Sequence, residues 1–319
     1  MRLLINIAYS IISTCKMFYA YRSSKNKQNM LQAEIIRNVH SIEKGMCIKN
    51  PRLGFGVGKI SKMISLIDSY IDNGFPGDRP EIKMAISSLK SYISFHEDRH
   101  FSNEHIEKLI NKIARLEDKC KMCVSPFSYG GTIDSTAIKH FDSIENVNFK
   151  ELLFNRHSIR KFSSAPINEE DLISAIDLAN RCPSACNRQT TRVYVINKDK
   201  IDILKDWLSG IGGFAESVDK FLIITGKTSS FNDGEVYQHI VSASIFVGYL
   251  SLTLTAYNIG NCIVQRPLLY SRKWSQFAKD NNIPSDENIV CMMAIGNYED
   301  DFKVPVSYRM NSKYLMKYL

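Results

Sequence analysis

The stretch from Val236 to Tyr257 is apolar on nearly all sides, so it cannot rest on a solvated surface. A helix without a polar face has to be covered in more than one direction, and a subunit interface is the cover we expect for part of it. Around it lie three short runs rich in β-branched and aromatic residues: Arg192 to Ile196, Phe221 to Thr225 and Ile289 to Ala294. They read as buried central strands. Glu169 to Asn180, following Pro166, has the spacing of an amphipathic helix. This half of the chain is therefore expected to mix helices and strands.

The N-terminal half has a different pattern. Ile60, Met63, Ile64, Ile67 and Ile71 recur at helical spacing and stop at Asn73-Gly74-Phe75-Pro76-Gly77. Ile82 to Phe95 and Ile106 to Leu116 repeat it, with Ser102 the expected cap of the latter. Val39 to Gly45, leading to Asn50-Pro51-Arg52-Leu53-Gly54-Phe55-Gly56, reads as turn-rich. Ser125 to Thr132, with its Pro and paired Gly, marks a linker. The expected organisation is an N-terminal arm over 1–30, a helical region over 31–124, a linker over 125–146 and a second domain over 147–319.

Charge separates these parts. Residues 1–150 hold 22 basic and 15 acidic side chains, against 19 and 18 in residues 151–319, so most of the net +8 is N-terminal. Leu3 to Cys15 is mostly apolar but too short to span a bilayer. With Lys16, Arg22, Lys25 and Lys27 behind it, the arm fits either a solvated lead-in or an interfacial helix meeting anionic lipid at the inner face of the membrane. We expect no nucleic-acid partner. Eight cysteines scattered without a dense pattern point to reduced thiols and a cytoplasmic chain. Cys120-Lys121-Met122-Cys123 reads as two thiols at a helix end. His96-Glu97-Asp98-Arg99-His100 has the HExxH spacing but the setting of a solvated helix end, and we expect no metal there.

Two segments carry chemistry. In Arg156-His157-Ser158-Ile159-Arg160, two guanidiniums with a hydroxyl between them suit a phosphate dianion, because Arg presents forked donors matched to phosphate oxygens. A helix starting here would add its free amides. In Pro183-Ser184-Ala185-Cys186-Asn187-Arg188-Gln189, a tight turn brings backbone close to a planar ligand, and the amides of Asn187 and Gln189 offer both donors and acceptors to a heterocycle edge. Cys182 and Cys186 flank the turn without a base nearby in sequence and read as small hydrophobes. His239 reads as a core or interface histidine.

Together with Asn258 to Gln265 and Val304-Pro305-Val306-Ser307-Tyr308-Arg309, these segments resemble, in order, the signatures of the FMN-dependent nitroreductase family. The turn-rich N-terminal segment resembles an extension found on nitroreductase-like proteins of bacterial surface-polysaccharide gene clusters. The resemblance implies an α+β fold, a central mainly antiparallel sheet flanked by helices, preceded here by the helical region. It further implies FMN held by Arg156, Ser158, Arg160 and Arg309 at its phosphate and ribityl end, with His157 between them either bonding the cofactor, the reading favoured here, or packing beside it. Ser184, Asn187 and Gln189 would then address its ring or ribityl hydroxyls, and the backbone of Val264 and Gln265, in a Gly-containing loop, would approach the ring. NAD(P)H would be the electron donor, a small molecule the acceptor, no protein acid or base obligatory, and a homodimer the working unit, its C-terminal tail crossing to the partner. Two departures stand out: Thr190-Thr191 follows Gln189 where many relatives have Pro-Trp, and Ser307 stands where some carry Lys. Oxygen chemistry of the reduced flavin, reductive dehalogenation, or a flavin-bearing interaction protein of a membrane-associated assembly remain open alternatives.

The double change Arg22→Glu with Lys25→Glu is expected to weaken sedimentation with anionic vesicles at low salt while leaving the visible spectrum unchanged. Wild-type protein that ignores such vesicles removes the lipid role.

Overall fold

The computed structural model describes residues 4–5, 7–8, 10–12, 14–15, 27–200, 204, 211, 213–232, 234–264 and 272–319. Lys16, Arg22, Lys25 and Gln265 lie outside the described residues. The chain forms two compact units, one of Met1–Ile11 with Thr136–Phe302 and one of Ile12–Ser135 with Lys303–Leu319. The division at 135/136 falls inside the expected linker, and residues 303–319 group with the helical half.

The helical unit is built on α1 (Lys27–Met46), α2 (Val57–Asp72), α3 (Pro80–Glu97) and α4 (Glu104–Cys120). The apolar spacing read from sequence is the packing stripe: Ile35, Ile42, Ile60, Ile67, Ile86, Leu89 and Tyr92 are buried together in one core. Each such side chain contributes about 1.5–3 kcal/mol by leaving water. Helix α2 stops at Asn73, with Gly74 at φ 77° taking the left-handed turn. Helix α4 is capped by Asn103, whose side chain accepts from the Ile106 amide at 3.0 Å. Ser102 was expected in that role, and the cap falls one residue later. Val39 to Gly45 is likewise helical, the end of α1, because Val39, Ile42 and Met46 complete its buried stripe. The turn-rich part begins beyond it. There the Gly54 amide donates to His96 Nε2 at 2.9 Å, the Tyr92 hydroxyl donates to the Phe55 carbonyl at 2.7 Å, and the Phe55 ring packs edge-on against Tyr92.

Residues 125–131 do not hang free. Ser91 Oγ accepts from the Phe127 amide at 2.8 Å and donates to the Gly130 carbonyl at 3.0 Å, while buried Glu43 accepts from the Gly131 amide at 2.9 Å. The segment then forms β1 (Thr132–Asp134), antiparallel to β6 (Lys303–Pro305) with Ile133 opposite Val304. Gly131 has φ 113°, and a Cβ there would lie 2.7 Å from Ser91 Cβ.

The second unit contains β2 (Thr191–Asn197), β3 (Lys220–Lys227), β4 (Ile259–Val264) and β5 (Glu287–Asn297) in the order β2-β3-β5-β4, every pair antiparallel. It also has α5 (Phe149–Asn155), α6 (Glu169–Ala179), α7 (Gln238–Ala256) and α8 (Arg272–Asp280). The fold class is α+β, as expected. Two of the three anticipated strands, β3 and β5, are central and buried, but β2 is an edge strand with Val195 45% exposed. Only Ile196 of its residues is buried, while Arg192, Val195 and Asn197 are exposed, which suits an edge better than a core. Ile259–Val264, read from sequence within a Gly-containing loop, is a strand paired to β5 along its whole length.

Helix α7 packs Ala243, Leu250 and Leu254 on Leu222, Ile224, Met293 and Ile295, with Ala175 and Ala179 of α6 beside it. It is long and apolar enough to cross a bilayer, yet 61% of that span is buried inside the fold. Its other side carries Val241, Ile245 and Tyr249 outward, and Phe149, Leu153 and Phe154 on the neighbouring α5 are also exposed.

Gly131→Ala should lower the unfolding free energy by about 1–3 kcal/mol, since it adds strain at a positive φ and a clash in a packed clamp. Urea denaturation of the purified protein measures it, and an unchanged midpoint removes the clamp's importance.

Candidate functional site

The arginine-bearing segment begins where a helix ends. Asn148 caps α5 by accepting from the amides of Lys150 and Glu151. Helix α5 closes at Asn155, whose amide side chain is held on both sides by the Lys139 backbone at 2.7 and 2.6 Å. Arg156 is already extended, at φ −70° and ψ 111°. A helix start at this segment, with free amides for a phosphate, is therefore corrected: the polypeptide leaves a helix here, so no helix N-terminus adds its amides. The Ile159 amide donates to the Asn261 carbonyl of β4 at 2.9 Å, with the Ile159 side chain buried. That bond fixes the segment beside the strand whose last residue is Val264. Arg160 is only 6% exposed and donates to the Ser158 carbonyl at 3.3 Å, whereas Arg156, His157 and Ser158 are half-buried. A guanidinium taken this far from water needs acceptors around it.

Asn261 explains why β4 holds its position. Its buried side chain accepts from Ser251 Oγ at 2.7 Å and donates to the Ser251 carbonyl and Thr255 Oγ1, both at 3.2 Å. One residue thus ties α7 to β4 through its side-chain amide and, through its backbone carbonyl, holds the arginine segment.

The second motif folds into a tight turn over Ser184–Gln189. Cys186, Asn187 and Gln189 all have left-handed backbone, at φ 51°, 53° and 49°. Such conformations cost non-glycine residues of order 1 kcal/mol or more each and gather where a chain is shaped for a ligand. Ser184 organises the turn: its hydroxyl accepts from the Gln189 amide at 3.1 Å and its carbonyl from the Asn187 amide at 2.9 Å. The Gln189 amide nitrogen donates to Asn187 Oδ1 at 3.3 Å, and Gln189 Oε1 accepts from Asn180 at 3.3 Å. The structure therefore brings Ser184, Asn187 and Gln189 together, with both amides exposed. Thr190, next along, is buried with its hydroxyl lacking a partner among the described residues.

Arg188 was not singled out in the sequence. Its guanidinium forks onto both oxygens of Glu235, at 2.8 and 3.0 Å, and donates to the Ser230 carbonyl at 2.9 Å. Its partner lies 47 residues away, so only the tertiary structure reveals the pair. Arg188 beside it holds the Glu235 carboxyl below the usual carboxylate range.

Arg309 belongs to the helical unit, where it is exposed and donates to the Ser307 carbonyl. Val306 bonds the Gly131 carbonyl at 3.0 Å, and the Tyr308 ring lies 4.8 Å from that of Tyr129. Val264 is buried opposite Met292.

The HExxH spacing is accounted for by packing, and the solvated setting expected for it holds only from Glu97 to His100. His96 is fully buried, with Nε2 accepting from Gly54 and Nδ1 donating to the Tyr92 carbonyl at 2.8 Å, so both ring nitrogens are committed. Burial pushes its pKa down, as it does for His239, which is a core histidine with Nε2 3.4 Å from Asn288 Nδ2. Cys120 closes α4 as a buried thiol and Cys123 is exposed beyond it. Burial raises the pKa of the Cys182 thiol, while Cys186 is exposed.

Residues 153–222 match the sequence profile of the nitroreductase family. A curated relative, a "putative NAD(P)H nitroreductase" of Streptococcus pyogenes serotype M6, is 39% identical over 57 residues, which are 18% of this chain and 28% of that protein. The chain thus spans under a third of the length of the curated relative it matches. Among solved structures, an FMN-dependent nitroreductase of Clostridium difficile R20291 is 24% identical, with 51% of this chain and 94% of that one covered, at a TM-score of 0.42. A nitroreductase family protein of Clostridium novyi NT is 20% identical, covering 48% and 87%, also at 0.42.

Because His96 is neutral when buried and charges more easily when unfolded, the unfolded chain binds the extra proton as pH falls below about 6.5. Its contribution is complete above that value and lost below it. Unfolding free energy should decline between pH 7 and 5, and His96→Gln should flatten that slope. An unchanged slope contradicts the neutral-histidine assignment.

Proposed function

We propose that this chain, which carries a nitroreductase-family domain through residues 153–222, is an FMN-dependent NAD(P)H oxidoreductase that passes electrons to a small-molecule acceptor. The observation that carries the reading is the Ser184–Gln189 turn, where three left-handed residues turn two amides outward in the segment that matches the family. The donor set fits the cofactor. Arg156, Ser158 and Arg160 offer guanidinium and hydroxyl donors to a terminal phosphate, and His157 stands among them. Ser184, Asn187 and Gln189 offer mixed donors and acceptors to the ring and ribityl hydroxyls. The backbone of Val264, the last residue of β4, would approach the ring, and the sequence resemblance adds Gln265 at the ring and Arg309 at the phosphate.

Bound FMN supplies the hydride and electron chemistry, so no side chain need act as acid or base. The chain's part is to bind, orient and exclude water. Donor and acceptor would use one pocket in turn, which gives ping-pong kinetics. The working unit is a homodimer, cytoplasmic in location. The support for pairing is the outward face of α7 and α5, where Val241, Ile245, Tyr249, Phe149, Leu153 and Phe154 stand exposed, a larger apolar group than a lone soluble unit usually shows. The tail agrees, with Leu315, Met316 and Tyr318 exposed as a strand-forming end would be before it meets a partner.

Purified protein should be yellow, release FMN on denaturation and oxidise NADH or NADPH at steady state in the presence of an acceptor. Arg160→Glu sets a like charge against the phosphate and should lower FMN affinity by several kcal/mol, of order 3–5, read by flavin titration. Unchanged occupancy defeats the phosphate assignment, and a flavin-loaded protein with only background turnover favours the interaction-protein alternative. Deleting Lys313 to Leu319 should lower dimer stability and flavin retention together. A truncated dimer that stays fully yellow by analytical ultracentrifugation refutes the tail's role.

A further inference from the structure

We infer that Arg188 is a positioning residue: its ion pair with Glu235 latches the Ser184–Gln189 turn so that the Asn187 and Gln189 amides hold the geometry a flavin ring requires. The inference rests on the flavin reading above and adds to it a residue pair that the motif does not predict.

A turn with left-handed backbone at Cys186, Asn187 and Gln189 persists only if its surroundings hold it. Apart from a 3.6 Å contact of the Arg188 guanidinium with Cys186 Sγ, and the bond of Arg192 on β2 to the Gln189 carbonyl at 2.9 Å, the bonds made inside the turn are between neutral groups. They run from Ser184 to the Gln189 and Asn187 amides and between the two side-chain amides, where water competes for exposed Asn187 and Gln189. Arg188 is different. It sits between the two amide residues and reaches outside the turn with a charge-assisted, two-pronged contact to Glu235, a third bond to the Ser230 carbonyl, and its guanidinium carbon 4.8 Å above the Phe231 ring. Fork and ring together leave the side chain one orientation.

The acceptor is held in turn. Glu235 Oε2 also accepts from the Asn232 amide at 3.1 Å, and Asn232 Oδ1 accepts from the Gly234 amide at 2.9 Å. Glu235 stands just before α7, whose first turn has no side-chain cap from Tyr237. Thr228 is anchored to β5's approach by its bonds to the Asp286 carbonyl at 2.7 Å. The latch thus joins the turn to a braced loop between β3 and α7. Phe231, Asn232 and Glu235 of that loop also line a cavity of about 350 Å³ with His239 and Asn288 behind them, so a shift of the latch moves a cavity wall as well as the amides. A pair at the surface whose members keep about a quarter of their side chains exposed would add little stability by itself. Its worth here is directional.

The test compares Arg188→Gln, Glu235→Gln and the exchanged pair Arg188→Glu with Glu235→Arg in the full-length protein. Each single change should leave FMN bound, since the arginine segment is untouched, yet alter the visible circular dichroism of the flavin and lower kcat/KM for NAD(P)H by about tenfold. The exchanged pair should recover most of that loss. Wild-type visible dichroism and kcat/KM in both single variants overturn the latch, as does a loss that follows thermal stability and is not recovered on exchange. Amide hydrogen exchange on flavin-free protein separates this inference from the function it rests on. Arg188→Gln should speed exchange at Asn187 and Gln189 severalfold, and equal rates overturn the latch whether or not the protein proves to bind FMN. Wild-type protein that never binds FMN overturns the function, and the exchange comparison then decides the latch alone.

Discussion

The burial of α7 against the antiparallel sheet is the contact on which the second unit depends. The approach is close: Gly226 of β3 meets the His239 carbonyl so nearly that a Cβ at that glycine would lie 2.6 Å from the oxygen. At the other end of the helix, Asn261 exchanges hydrogen bonds with Ser251 and Thr255, so sheet and helix are registered by close backbone approach at one end and a saturated amide at the other. Both motif segments take their positions from this assembly. The arginine segment hangs on the Asn261 carbonyl through the Ile159 amide, and the Ser184–Gln189 turn leads straight into β2, whose first residue faces Gly226.

The helical unit solves a separate problem by the same means. Its apolar stripes make one core, and the polar groups that enter it are used to hold irregular chain. Glu43, Ser87 and Ser91 bind the 127–131 backbone, and His96 with Tyr92 binds the turn around Phe55. The first histidine of the HExxH spacing and the Gly-bearing segment read as a linker are here parts of one scaffold. The physical reason is that a buried polar side chain must find a partner, and backbone in a turn has amides and carbonyls to offer.

At the candidate site, rigid and strained parts divide the work. Arg160 is buried and tied to strand β4 by its neighbour, whereas the amides of Asn187 and Gln189 sit on a strained turn held from outside by a charged pair. A phosphate needs strong donors in a fixed place. A ring edge needs modest donors at a defined angle, and an angle is easily lost in a loop unless something braces it.

How much of this was legible varies with the range of the interaction responsible. Periodicity alone placed α2, α3, α4, α6 and α7 and the strands β3 and β5, because burial of a stripe or a run is written locally. Residue type misplaced a cap by one residue at Asn103 and read the end of α1 as turns, and the family resemblance took β4 for a loop, where pairing with β5 and bonds to α7 make a strand. The motif residues were legible as types, guanidiniums with a hydroxyl in one segment and paired amides in the other. Their arrangement was not, because the arginine segment turned out to leave a helix instead of opening one, and Arg188 meets Glu235 only after β2, β3 and the loop between β3 and α7 have folded back. Sequence by itself determined which groups are present and which segments must be buried, as these follow from side-chain chemistry and spacing; the tertiary structure alone decided which groups face one another, because the long-range closures that pair them carry no local signal.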